Sequence, residues 1–146
     1  MKRSRFLPYL LAIPNSLALA VSGFRHLDNP YLFLSHIYSY DLVGEATGVF
    51  VAAILPPLQL TLAIALFFDA SGRRAAFLMT ALLFAVFLSA QILALSRGLE
   101  ISCGCFGTSD KPIGPPSIAL AAGGLTTSVL GFFVSRGKLI SGGMAP

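Results

Sequence analysis

The sequence predicts an all-α integral membrane protein, a four-helix bundle. Three observations carry that prediction. Of the residues 55% are hydrophobic and only 11% charged, with a mean hydropathy of +0.81, whereas an ordinary globular chain carries roughly 25% charged residues. The apolar residues come in four solid runs instead of stripes of helical or strand period, and the basic residues gather at the ends of those runs. One transmembrane domain over residues 1–146 is therefore expected, with no room for an additional soluble enzyme domain.

Crossing about 30 Å of hydrocarbon at 1.5 Å per residue takes about 20 apolar residues, and the four runs come close to that. The first, residues 6–24, contains Pro8 and Pro14, which a span tolerates where neighbouring helices cover the freed carbonyls. Lys2-Arg3-Ser4-Arg5 followed by this run and Ala18-Leu19-Ala20 also fits a cleavable signal peptide. Continuation of the run through Val21 to Phe24 favours a retained span.

The first loop, residues 25–41, holds Asn29-Pro30, an N-cap followed by proline at the first helical position. Tyr31, Phe33, Leu34, Ile37, Tyr38 and Tyr40 come after it, so a short interfacial helix anchored by tyrosines is expected. His26 and His36, ten residues apart, lack a ligand spacing and read as solvated or hydrogen-bonded loop residues; no metal site is expected.

The second run, residues 42–68, opens with Glu45 and with Gly44, Gly48 and Ala52 at four-residue spacing, small residues that let another helix approach. Pro56-Pro57 removes two amide donors near its middle, which predicts a kink. Gln59 follows within a turn, as a hydrogen bond between helices or a contact to a buried ligand such as a quinone headgroup. The third run covers 75–95, and the fourth, 118–134, is rich in small residues, with Ala119, Ala121, Ala122, Gly123 and Gly124.

Basic residues resist translocation, so their distribution sets orientation. Lys2, Arg3, Arg5, Arg73, Arg74, Arg136 and Lys138 fall on one side of the four spans, and only Arg25, Arg97 and Lys111 on the other. Both termini are therefore expected in the cytoplasm and the loops 25–41 and 96–117 outside. Basic residues arranged as topology signals do not make a nucleic-acid face, and spans without paired carboxylates argue against an ion pump. Phosphate-cradling glycine loops and Ser/His/Asp arrangements are absent.

Chemistry concentrates in Cys103-Gly104-Cys105. Cysteines two apart reach disulfide distance only through a sharp turn, which Gly104 permits, and such a small ring exchanges readily. Arg97 and Lys111 supply positive charge that favours the thiolate, partly opposed by Glu100 and Asp110. The outward side of a bacterial inner membrane is an oxidising compartment, where disulfide chemistry is done. A pair that only staples a turn, or idle thiols, is the competing reading.

Arg97-Gly98 followed by Cys103-Gly104-Cys105-Phe106-Gly107 resembles the signature of the MauE (methylamine utilisation protein) family of DoxX-like, redox-associated bacterial membrane proteins. His26-Leu27 with Pro30, Phe33, Ile37 and Tyr40 resembles that family's first loop, and Leu55-Pro56 its second-span motif; the similarity runs from about Phe24 to Gly107. Gln59 stands where the motif usually has glutamate, and Gly44 where a proline is common. The resemblance implies a four-helix bundle acting in the supply or isomerisation of disulfides for extracytoplasmic proteins. It further implies a thioredoxin-like periplasmic partner and a cysteine-containing client, in methylamine users the small subunit of methylamine dehydrogenase.

The sequence thus points to an inner-membrane thiol-disulfide protein in which Cys103 and Cys105 cycle between dithiol and disulfide, supported by Gly104, Phe106, Gly107 and Arg97. A version passing electrons to quinone would place a pocket near Pro56, Gln59, His26 and Tyr40. The alternative from another class is a non-catalytic assembly or anchoring subunit for a redox complex.

Overall fold

In the computed structural model the described residues are 3–68, 72–99 and 114–141, with side-chain surroundings for 6–68, 72–99 and 114–135. They form five helices, α1 (Arg3–Asp28), α2 (Pro30–Ser39), α3 (Glu45–Phe68), α4 (Arg73–Ser96) and α5 (Pro115–Ser141). Four are long and apolar enough to cross a membrane, over Phe6–Asp28, Glu45–Phe68, Arg73–Ser96 and Pro115–Ser135. The fold is the expected all-α bundle, and α2 is the short helix expected in the first loop.

The surface of the bundle is unlike that of a soluble domain. Asn15, Ser22, Gln59, Thr80, Gln91 and Ser128 are buried, while Phe6, Leu10, Phe24, Phe50, Val86 and Phe68 stand exposed. In water such a surface would associate or aggregate; in hydrocarbon it is the solvated face. Lipid tails are as apolar as leucine, so close packing and hydrogen bonds between helices hold such a bundle together, more than apolar burial does.

Those contacts sit where glycines admit them. Gly23 of α1 lies against Leu60 and the carbonyl of Pro56, so that a Cβ there would stand 3.0 and 3.2 Å from them. Gly124 and Gly131 of α5 receive the rings of Phe84 and Phe77 from α4. Ser16 Oγ donates to the carbonyl of Ala63 at 2.9 Å, joining α1 to α3. Asn15 bridges α1 to α5, donating to Thr127 Oγ1 at 3.0 Å and accepting from Ser128 Oγ at 3.3 Å. The Gly48 position is filled from within the chain by the ring of Tyr38, which accounts for that part of the small-residue stripe without a dimer.

Helix ends depart from the expected spans for local reasons. α1 continues past Phe24 to Asp28, because the proline effect acts only at Asn29, held out of the helical region at φ −132° and ψ 74° before Pro30. With Ser16 opposite Ala63 and Ser22 opposite Gln59, α1 ends about two turns short of the start of α3. Packed beside those upper turns, α2 fills the difference. At the opposite end of the bundle Arg73 is buried, its Nε donating to the carbonyl of Leu66 at 3.1 Å and its guanidinium 3.9 Å above the Tyr9 ring.

Candidate functional site

The end of the bundle that carries α2 gathers most of the described candidate residues. Because α1 runs on to Asp28, Ser22 and His26 fall one turn apart on the same face, turned toward α3. His26 is 3% exposed, not a solvated loop residue, and its Nδ1 lies 3.0 Å from Oε1 of Gln59. Gln59 is fully buried and donates through Nε2 to Ser22 Oγ at 3.3 Å. With the amide nitrogen turned to Ser22, its oxygen faces the imidazole; His26 therefore donates from Nδ1, and a neutral ring in that tautomer has its lone pair at Nε2.

Phe33, the buried residue of α2, closes this cluster by stacking on His26 with ring centroids 3.8 Å apart and 17° between planes. Pro56 lies one turn before Gln59 and is itself buried, its carbonyl at the Gly23 approach. Pro56 and Pro57 lack the amides that would bond the carbonyls of Ala52 and Ala53, yet α3 continues through both prolines. The sequence-predicted pair His26 and Gln59 is thus brought into direct contact, with Pro56 beside it.

Tyr40 is the C-cap residue of α2. Together with Phe33, His36, Leu55, Phe87 and Ala90 it lines an apolar cavity of about 130 Å³ between α2, α3 and α4. Phe33 is therefore a shared wall, with the cavity against it and the His26 imidazole stacked on it. Tyr38 secures α2 in place, its hydroxyl donating to the carbonyl of Glu45 at 3.0 Å.

Arg97 and Gly98 determine how the chain leaves α4. The amide of Leu99 bonds the carbonyl of Ala94 at 3.1 Å, and that of Gly98 bonds Leu95 at 3.0 Å, with Gly98 at φ +69°. This is the paired C-terminal cap that a left-handed glycine makes possible. Arg97 Nη1 lies 3.4 Å from the carbonyl of Asp41, joining the end of α4 to the turn after α2, where Asp41 itself adopts φ +49°. The chain re-enters at Gly114, whose amide bonds Ser117 Oγ at 3.2 Å at the start of α5. Cys103, Gly104, Cys105, Phe106 and Gly107 lie outside the described residues. Among the described residues no group of three His, Cys, Asp or Glu converges to hold a metal.

Sequence reasoning missed Ser22, the Phe33 stacking and the burial of His26, all for one reason. Ending the first span at Phe24 hides the Ser22-xxx-His26 face that the longer helix reveals. The Gly98 cap carried a readable signal, a glycine just past a helical apolar run.

Gln59 tests the cluster directly. Gln59→Leu removes both hydrogen bonds and strands a buried imidazole donor, an expected loss of about 1–2 kcal/mol. Adding His26→Leu removes the stranded group, so the double variant should be more stable than the sum of the single losses. Strict additivity in reversible unfolding from mixed micelles would mean that the two side chains are not coupled.

The family model described as Methylamine utilisation protein MauE matches residues 4–134 of the chain. No curated protein and no solved structure gives a match.

Proposed function

The chain belongs to the MauE family, a family of methylamine utilisation proteins, and from that premise we propose that this multi-pass membrane protein is a thiol-disulfide exchange protein working through Cys103 and Cys105. The observation that supports the reading is the anchoring of the segment that carries them. It departs from a glycine-capped α4 whose Arg97 reaches Asp41, and it rejoins the bundle at Gly114. Cys103 and Cys105 follow Gly98 by five and seven residues in the sequence, and the described chain on the near side of them ends where α2 and the His26 cluster lie.

The charge asymmetry supports an outward orientation of that end at a bacterial inner membrane, where a periplasmic thioredoxin-like protein can exchange with the pair. Exchange proceeds by thiolate attack on a disulfide sulfur through a mixed disulfide, and the guanidinium of Arg97 favours the thiolate. The client is an extracytoplasmic protein with cysteines to be paired, as the family's association with methylamine utilisation suggests. Gln59, in place of the family's usual glutamate, takes no proton at neutral pH; its part is to orient His26.

Differential thiol trapping in intact cells tests the reading. A membrane-impermeant maleimide should label Cys103 and Cys105 only after mild reduction, showing an outward, reducible disulfide. Labelling that requires the membrane to be dissolved would overturn the orientation, and a pair fully labelled before reduction in growing cells would overturn the oxidised resting state.

A further inference from the structure

We propose that the first turn of α4, with Arg73 and Arg74, is a binding site for the phosphodiester of an anionic phospholipid at the end of the bundle opposite α2. The helical ladder of α4 begins with the amide of Ala76 on the carbonyl of Gly72, and Gly72 offers no side-chain cap. The amides of Arg73, Arg74 and Ala75 therefore find no acceptor among the described residues. Open amides at the positive end of a 24-residue helix attract an anion. A buried cation stands at the same turn. Arg73 is 4% exposed, and while its Nε bonds the carbonyl of Leu66, its buried Nη2 has no hydrogen-bond partner. A guanidinium taken out of water requires a counter-charge.

The described chain does not supply that counter-charge. Its carboxylates, Asp28, Asp41 and Glu45, all lie at the α2 end. At the Arg73 end the sequence sets Asp69, outside the described residues, against Lys2, Arg3, Arg5, Arg73, Arg74, Arg136 and Lys138. Arg74 is the donor within reach of a ligand. It is half-buried, its guanidinium 4.8 Å over the Phe132 ring, as that of Arg73 is 3.9 Å over Tyr9. Stacking covers the face of a guanidinium and leaves the in-plane N–H groups at its edge, which pair with phosphate oxygens two at a time. Among the described residues those of Arg74 make no hydrogen bond. The enclosed Arg73 acts through its charge, which solvent screens little at a buried position.

The position suits a phosphate carried by a lipid more than a soluble one. α4 spans Arg73–Ser96, about 36 Å at 1.5 Å per residue against about 30 Å of hydrocarbon, so its first turn reaches the headgroup layer. Phe6 and Phe68, exposed at the same end, offer apolar surface to the acyl chains of a lipid held there. The positive charge of the site selects an anionic headgroup over a zwitterionic one, whose own ammonium it repels. Basic residues that only set topology would account for charge at this end, but not for a buried, unpaired guanidinium beside an uncapped helix.

The test is lipid titration of the full-length protein in a neutral detergent, read by native mass spectrometry, with phosphatidylglycerol and phosphatidylcholine of identical chains. Phosphatidylglycerol should bind at least about tenfold more tightly. Arg74→Gln should remove most of that preference while the lipid-free protein melts close to the parent. Gly72→Asp, which supplies a carboxylate to the open amides, should lower the preference likewise. Arg3→Gln, an equal change of charge at the same end, should leave it intact. Equal losses in Arg74→Gln and Arg3→Gln would mean diffuse attraction and overturn the site, as would equal binding of the two lipids. Glycerol phosphate at the same free concentration should not displace the lipid; full displacement would assign the site to a soluble phosphate instead. Asp69→Asn should leave the preference within about twofold, whereas a rise of about tenfold would show that Asp69 already neutralises Arg73 and would overturn the proposal.

Discussion

Cys103→Ser and Cys105→Ser will each reduce client oxidation to background, a loss of at least about a hundredfold, while membrane insertion and helix content stay unchanged. A serine hydroxyl neither ionises near neutral pH nor forms a disulfide, so neither variant can close the ring. The two should nonetheless differ. The variant that keeps the entering thiolate can still attack a partner disulfide, and without its neighbour it cannot release the product, so a mixed disulfide accumulates. With the bulky Phe106 next to Cys105 in the sequence, Cys103 is the expected entering thiolate and Cys105→Ser the expected trapping variant. Non-reducing electrophoresis of periplasmic partners cross-linked to the tagged protein reads this directly. Full client oxidation in both variants would refute exchange and favour an anchoring subunit with structural cysteines.

Gly131→Ala will destabilise the bundle by about 2 kcal/mol, and Gly124→Ala by markedly less, although both added methyls point at a phenyl ring of α4. A Cβ on Gly131 would overlap the ring of Phe77, and one on Gly124 would stand 2.6 Å from that of Phe84. Both gain the same helix propensity over glycine, up to about 1 kcal/mol, so that contribution cancels in the comparison. What differs is where the ring can go. Phe77 is fully buried within the main apolar cluster of Leu19, Leu62 and Leu66. Phe84 is also buried, but it borders an open groove of about 250 Å³ along Ala119 and Gly123, into which its ring can shift. Phe77→Leu should restore most of what Gly131→Ala loses, measured as a double-mutant cycle in reversible unfolding from mixed micelles. Equal losses at the two glycines would mean that the groove does not relieve the strain.

The Gln59 double-mutant comparison and the Gly131 pair probe the same principle from two sides. In a bilayer the helices gain little from leaving one apolar medium for another, so specificity must come from contacts with directional or steric requirements. The His26–Gln59–Ser22 chain supplies the former, and the glycine–phenyl contacts the latter. Both lie at named positions, so each can be removed singly.

The sequence by itself determined the class of the protein. Four solid apolar runs and clustered basic residues specify a membrane-spanning all-α bundle, because hydrocarbon thickness and the cost of moving charge across it depend on composition and length alone. It also singled out His26, Pro56, Gln59, Arg97 and the cysteine pair by residue type and spacing. Only the tertiary structure decided which of these meet. Extension of α1 by one turn moves His26 from a loop into the bundle and aligns it with Ser22; antiparallel register with α3 then sets Gln59 opposite both. That register is fixed by Gly23 against Pro56 and by Ser16 against Ala63, contacts between residues more than thirty positions apart that no local periodicity reports. The cavity beside Tyr40 likewise exists because α1 stops short of α3 and α2 covers the difference, a mismatch of lengths that appears only once the helices are packed.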